Sequence, residues 1–163
     1  MRTKSTLKNL SKNPLKLDAC LKSMEKNIES GFVEKVDSNY EPPEGKRWYL
    51  PIFPVQQEKK SKVRLVYDAS ARFSGCSLND SLLQSPDLNN QLRVVFLRFR
   101  QKPIAFGADI ESMFSNFKVP KEQRDFLRFF WYDDNNPAKG SVPYRSTGHI
   151  FGCSSSPAVA TYA

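Results

Sequence analysis

The chain has 163 residues, of which 39% are hydrophobic and 12% aromatic, so its composition indicates a folded domain and excludes a disordered chain. It has no run of 18 apolar residues and no apolar leader near its start, which argues against membrane insertion and secretion; we expect a cytoplasmic or nuclear protein. The net charge is +8, and residues 1–65 carry 14 basic and 8 acidic side chains against 11 and 9 in residues 66–163. This asymmetry favours a polyanionic partner, although a solvated lysine-rich surface explains any single cluster equally well.

The three cysteines and the single histidine do not indicate a metal centre or a disulfide framework. Cys20, Cys76 and Cys153 are odd in number and far apart, without the paired spacing of zinc ligands, so we interpret them as reduced structural thiols. His149 has no second imidazole and no obvious nucleophilic partner, and we interpret it as structural.

The first half of the chain predicts a helix followed by three short strands. Residues 1–14 form a basic segment that we expect to be flexible. Apolar residues recur at helical spacing through residues 15–30 and Gly31 supplies the stop, so a helix is predicted there. Residues 32–36 and 48–55 have the composition of strands, and the prolines of the second restrict it to a sheet edge.

The third strand, residues 62–68, alternates strictly and places Lys62 and Arg64 on one face. A hairpin that presents both cations over an apolar inner face has the charge needed to bind a triphosphate. The alternative is an ordinary solvated strand face, and the alternation does not decide between them.

The second half predicts a helix, a buried strand and a long hairpin. Ser85-Pro86-Asp87 opens the helix, whose apolar stripe runs to Phe99. The apolar run of residues 104–109 predicts a buried strand, and residues 126–132 and 142–150 predict a hairpin with its turn at residues 133–137. A helical turn is predicted at residues 120–124, and a further helix after Pro157.

Asp109 ends the predicted buried strand. A strand of small and apolar residues has no packing reason to finish on an acid, whereas a divalent-metal site at the end of a strand needs one. The alternative is that Asp109 caps the helical segment that follows.

Four short blocks stand out when they are taken in order. They are residues 62–70 (KVRLVYDAS), 77–88 (SLNDSLLQSPDL), 108–114 (ADIESMF) and 149–157 (HIFGCSSSP). Together they resemble blocks of the reverse transcriptases of BEL/Pao-type LTR retrotransposons. The resemblance implies an α+β fold, the fingers and palm portion of a right-hand polymerase, incomplete at its C-terminus. It places the fingers at about residues 15–80 and 120–149, and the palm at about 81–119 and 150–163.

The resemblance also implies the site residues. In the family, the acid at the position of Asp109 and the backbone carbonyl of Ile110 bind magnesium, and two Mg²⁺ ions serve nucleotidyl transfer. The positions that match the family's nucleotide-binding residues are Lys62 and Arg64 for the phosphates, Phe114 for the sugar, and Gly152, Ser156 and Pro157 for the floor of the pocket. The implied partners are an RNA or DNA template-primer and a deoxynucleoside triphosphate (dNTP), with no membrane; no oligomeric state is predicted.

Two departures from the family matter. Phe151 stands where the retroviral form has glutamine, so a contact of that glutamine is not transferred. The second metal-binding block, Tyr-x-Asp-Asp, is missing. Asp133 and Asp134 resemble this block, but Tyr132 directly precedes them, whereas the family has one residue between the tyrosine and the acids. The pair also precedes the glycine-serine-proline block, whereas in the family it follows that block. We interpret both acids as turn residues.

We therefore expect a fragment of an RNA-directed DNA polymerase from a retrotransposon polyprotein that is inactive by itself, because one aspartate cannot hold two Mg²⁺ ions against water. The alternative is a non-catalytic nucleic-acid-binding or interaction module retained from a degenerate element.

Overall fold

The structure, a computed structural model, describes residues 6–7, 9–56, 63–83 and 86–162. This part of the chain contains both helices and strands, and the strands form two separate antiparallel sheets, which confirms the α+β class at the coarse level. None of the described helices has the length and apolar character needed to span a membrane.

Helix α1, Pro14–Glu29, agrees with the helix predicted from apolar spacing. Asn13 caps its start, since its side-chain oxygen accepts a hydrogen bond from the Lys16 N–H at 3.1 Å, and Pro14 occupies the first turn. Its inner face buries Cys20 and Met24. Just before it, Leu7 and Leu10 are buried as well, so this part of the segment expected to be flexible packs against the core.

A three-stranded sheet forms the centre of the fold. Its strands are β1 (Val33–Lys35), β4 (Arg128–Tyr132) and β5 (Ser141–Ser146). They lie in the order β1, β5, β4, and β4 and β5 form the predicted long hairpin. The strand predicted to reach residue 150 ends at Ser146, but the chain continues the pairing: the Val119 N–H donates to the Thr147 carbonyl and the His149 N–H to the Phe117 carbonyl, both at 2.9 Å.

The turn of this hairpin contains Asp133 and Asp134, as predicted. Asp134 lies inside the short 3-10 turn Asp133–Asn135 with φ +48°, and a second 3-10 turn, Pro137–Lys139, follows. Lys35 forms ion pairs with both carboxylates, and the Lys139 amino group lies 2.8 Å from Asp134. These acids are therefore turn residues in a surface ion-pair network.

The second sheet is the hairpin of β2 (Ile52–Gln56) and β3 (Val63–Tyr67), in which Val55 lies opposite Arg64. Ile52, Val63 and Tyr67 point into the core and Arg64 is exposed, which confirms the predicted alternation. The largest fully buried side chains of the described residues are Trp131, Phe129, Met24, Leu50, Ile52, Asp125, Cys20 and Ser156.

The region between the two hairpins differs from its prediction. After the short helix α2 (Leu78–Ser81), helix α3 (Leu92–Phe99) begins later than predicted, and all its side chains are exposed. The predicted buried strand at residues 104–109 is wrong: the segment has no regular secondary structure, and Ile104 and Phe106 are 84% and 90% exposed. A strand needs a neighbour to satisfy its backbone and cover its side chains, and no described segment pairs with this one.

Two shorter helices complete the described elements: α4 (Met113–Asn116) and α5 (Ser156–Tyr162). The segment Lys121–Leu127 is a 3-10 helix that agrees with the helical turn predicted at residues 120–124. It leads directly into β4.

A buried ionic network joins this 3-10 helix to the central sheet. Asp125, only 1% exposed, accepts hydrogen bonds from Arg128 at 2.8 Å, Arg145 at 3.0 Å and the Tyr40 hydroxyl at 3.0 Å. Arg145 also pairs with Glu34 at 2.7 Å. Burial by itself raises the pKa of Asp125, but the hydrogen bonds from both arginines and the tyrosine outweigh it and hold that pKa below its ordinary value.

Asp125→Asn should lower the free energy of unfolding at pH 7 by about 3–5 kcal/mol, because it removes one partner of a buried ion pair. The folded-state pKa of Asp125 is depressed, so its contribution is fully present above the pKa of an unfolded aspartate (about 3.9) and is lost as the pH falls through the folded-state value. Urea melts at successively lower pH should show the gap between wild type and variant closing below about pH 4.

The matched control is Asp18→Asn, which neutralises an exposed carboxylate paired with Lys22 at 2.8 Å and should barely move the urea midpoint. A gap between wild type and Asp125→Asn that is equally large at pH 7 and pH 3 would contradict the ionic role of Asp125.

Candidate functional site

The turn at Gly152 lies directly against the end of β3. Gly152 has φ +112°, and a Cβ atom built there would lie 2.7 Å from the carbonyl oxygen of Tyr67. Because that obstacle is backbone, it cannot move aside as a flexible side chain can. Only glycine fits this position without strain, and the fit brings the predicted pocket floor to the strand that carries Arg64.

Asn79 bridges the same two segments. Its side-chain amide donates hydrogen bonds to the Gly152 carbonyl and the Ser70 hydroxyl, both at 2.9 Å. Its side-chain oxygen accepts one from the Ser154 N–H at 3.0 Å, and its own N–H donates to the Ala69 carbonyl at 3.0 Å. The sequence placed Asn79 in one of the four blocks but gave it no role, and a polar residue inside a short helix gave no sign of partners so distant in sequence.

Arg64 is exposed on the outer face of β3, three residues before Tyr67. At about 3.3 Å per strand residue, it lies about 10 Å along the strand from the contact with Gly152. Lys62 lies outside the described residues. The exposure of Arg64 is compatible with both predicted interpretations, a phosphate ligand and a solvated strand face.

Phe114 reaches the same region through an aromatic contact. It lies in helix α4, and its ring meets the ring of Phe151 edge to face, with centroids 4.9 Å apart. Gly148 packs closely against the backbone of this helix, because a Cβ at Gly148 would overlap the backbone carbonyl of Ser115. Phe151 is 69% exposed, so the aromatic pair borders solvent beside the Gly152 turn.

Ser156 and Pro157 lie at the start of α5 with different surroundings. Ser156 is 1% exposed, and its hydroxyl donates to the Ile150 carbonyl at 3.0 Å and lies 3.3 Å from Nδ1 of His149. Burial lowers the pKa of His149, which keeps the ring neutral and agrees with a structural role. The Ser156 hydroxyl therefore serves the fold internally, whereas Pro157 is exposed.

Asp109 and Ile110 are exposed in the irregular segment before α4. That helix begins at Met113 with Ser112 in the N-cap position, three residues beyond Asp109, so the interpretation of Asp109 as a helix cap is wrong. The neighbouring Glu111 pairs with Lys26 of α1 at 2.9 Å.

The described residues do not form a metal centre by themselves. Within the part of the chain that the structure describes, no three His, Cys, Asp or Glu side chains lie close enough to share an ion. Asp109 offers one carboxylate and Ile110 one carbonyl, and Mg²⁺ demands near-octahedral oxygen coordination, so this donor set does not fit two such ions.

The structure thus brings together β3 with Arg64, the Gly152 turn, Phe114 and the start of α5, and it leaves Asp109 outside this group of contacts. No protein-family model matches the chain, and a search of curated proteins finds no match either.

Gly152→Ala should lower the free energy of unfolding by about 2 kcal/mol or more, since it places a Cβ against the Tyr67 carbonyl at a left-handed φ. The matched control is Gly107→Ala, at an exposed position where a Cβ has nothing within 4 Å and φ is ordinary. Thermal and urea melts of both variants measure the difference. Equal stability of the two variants would contradict the close packing of the Gly152 turn on β3.

Proposed function

We propose that the chain is the fingers and partial palm of a reverse transcriptase, an RNA-directed DNA polymerase of the BEL/Pao type. Four sequence blocks in the family's order support the proposal. The observation that carries it furthest is the packing of the Gly152 turn against the end of β3, because it joins the block with Arg64 to the glycine-serine-proline block in one surface.

In this proposal the exposed outer face of the β2–β3 hairpin binds the phosphates of the incoming dNTP. Arg64, together with Lys62, supplies the positive charge, and a guanidinium is suited to bidentate contact with phosphate oxygens. The Gly152 turn, which packs against the end of β3, lies beside this face and would border the nucleoside. Phe114, braced by Phe151, restricts the space beside the sugar and disfavours a 2′-hydroxyl.

Nucleotidyl transfer in the family uses Mg²⁺, and in this chain Asp109 and Ile110 would contribute to its binding. The described residues lack the remaining ligands, so we assign no catalytic step to this chain.

The nucleotide site is tested by titrating dTTP, in buffer with Mg²⁺, into the wild-type chain and into Arg64→Ala. Loss of one charge-assisted phosphate contact should weaken binding by about tenfold or more. The control is Arg47→Ala, which removes the same charge from an exposed arginine paired with Glu41 at 2.8 Å in the loop before β2. The proposal fails if dTTP does not bind saturably, or if both variants weaken binding equally.

The chain by itself should not incorporate deoxynucleotides on a primed template, because among the described residues Asp109 has no second carboxylate to share the metals with, and one carboxylate cannot hold two magnesium ions. A primer-extension assay with Mg²⁺ checks this, with Asp109→Asn as the comparison. Template-directed extension that disappears in Asp109→Asn would contradict the expectation and would show a complete catalytic centre.

The alternative, a non-catalytic nucleic-acid-binding module, is favoured by the excess of positive charge in residues 1–65 and by the incomplete metal ligand set among the described residues. It requires binding to phosphates, which releases counterions and makes affinity fall with salt. A flat dependence of log K on log salt for single-stranded DNA would exclude it.

A further inference from the structure

The carboxamide of Asn79 uses both of its N–H donors and its carbonyl oxygen in the junction that it occupies. A carboxamide has two N–H donors and a carbonyl oxygen with two lone pairs. Both donors are used, on Gly152 and Ser70, and the acceptor is used by the N–H of Ser154. The bonds lie at 2.9–3.0 Å, and their partners are far apart in sequence: Gly152 is 73 positions from Asn79, whereas Ser70 is 9. Asn79 is thus a two-sided bridge, with β3 on one side and the Gly152 turn on the other.

Asn79 is itself held in place by the local chain. Helix α2 begins with a capping box, in which the Ser77 hydroxyl accepts from the Asp80 N–H and the Asp80 carboxylate accepts from the Ser77 N–H at 3.0 Å. The hydrogen bond from the Ser77 backbone is the main cause that lowers the pKa of Asp80, so this carboxylate stays charged at neutral pH. Arg72 also contacts Asp80 and the Gly75 carbonyl. The capping box fixes the orientation in which Asn79 leaves the helix.

The Ser70 side of the bridge continues into β3. The Asp68 side chain accepts from the Ser70 N–H at 3.1 Å, and the Asp68 N–H donates to the Pro51 carbonyl at 2.9 Å, which ties the exit of the strand to the chain just before β2. The Ser70 side of the bridge is therefore fixed by the β2–β3 hairpin itself, whereas the Gly152 side depends on Asn79.

We propose that Asn79 is a positioning residue of the nucleotide site: it holds the Gly152 turn at a fixed separation from β3. The inference rests on the proposed function. It adds that the nucleoside part and the phosphate part of a bound dNTP are recognised by separate segments, and that Asn79 sets the distance between them. Without this bridge, the Gly152 turn is no longer held at a fixed position relative to Arg64.

The chemistry of the bridge restricts the residue. Aspartate has nearly the same shape, but its carboxylate has no donor for the Gly152 carbonyl. A carboxylate oxygen would instead face the Gly152 carbonyl oxygen, and both atoms are acceptors. Serine is too short to reach Gly152 and Ser154 together. Serine therefore cannot form the bridge, and aspartate loses the hydrogen bond to the Gly152 carbonyl while it keeps an acceptor for the Ser154 N–H.

The experiment compares two probes, dTTP and inorganic tripolyphosphate, on the wild-type chain, Asn79→Ser and Asn79→Asp. Tripolyphosphate tests only the phosphate part of the site. The wild type should prefer dTTP, and in both variants this preference should fall by about tenfold while tripolyphosphate affinity stays unchanged. A residue that serves stability alone would lower the folded fraction without changing the preference of the folded molecules. The control is Asn90→Ser, an exposed asparagine before α3.

Hydrogen exchange at the Ser154 amide keeps the test valid for weakly folded variants. That amide donates to Asn79 in the wild type, and its exchange should speed up by about tenfold in Asn79→Ser, relative to amides of β4, but not in Asn90→Ser. Unchanged exchange at Ser154, or a retained preference for dTTP in both Asn79 variants, would overturn the inference and leave the nucleotide site intact. A wild-type chain with no preference for dTTP over tripolyphosphate would instead remove the nucleotide site itself.

Discussion

The buried charge of Asp125 imposes the strongest constraint on this fold. A carboxylate that is 1% exposed must be paired, and its partners come from the loop before β2, from β4 and from β5. Glu34 of β1 extends the pairing through Arg145. Because each guanidinium contact has a narrow geometry, the network fixes how the 3-10 helix, the loop and all three strands of the central sheet lie relative to one another.

The position of the candidate site follows from this arrangement. Beyond β5 the chain continues in pairing distance of residues 117–119, and the absence of a side chain at Gly148 lets the backbone of Ser115 approach. Phe114 is thereby placed against Phe151, one residue before the turn that meets β3. Two glycines at close backbone contacts, together with the hydrogen bonds of Asn79, thus bring the separate blocks of the sequence together.

The exposed stretch of residues 88–110 shows what amphipathic spacing does not settle. Helix α3 has the apolar residues of a core-facing helix, yet Leu92, Phe96 and Leu97 are at least half exposed. Apolar spacing reports which side chains would share a face, but burial requires a second surface, and none of the described segments supplies one here. The same lack of a neighbour leaves residues 104–109 without a strand partner and Asp109 in an exposed loop.

The sequence by itself determined the local elements: α1 with its stop at Gly31, the β4–β5 hairpin with its turn at Asp133 and Asp134, and the alternation that exposes Arg64. Each depends on residues within a few positions of one another, so spacing and turn chemistry suffice. Only the tertiary structure decided that Gly152 abuts Tyr67, that Asn79 bridges to Ser154, and that residues 104–109 are exposed. Those outcomes depend on contacts between segments far apart in sequence, or on their absence, and local periodicity carries no information about either.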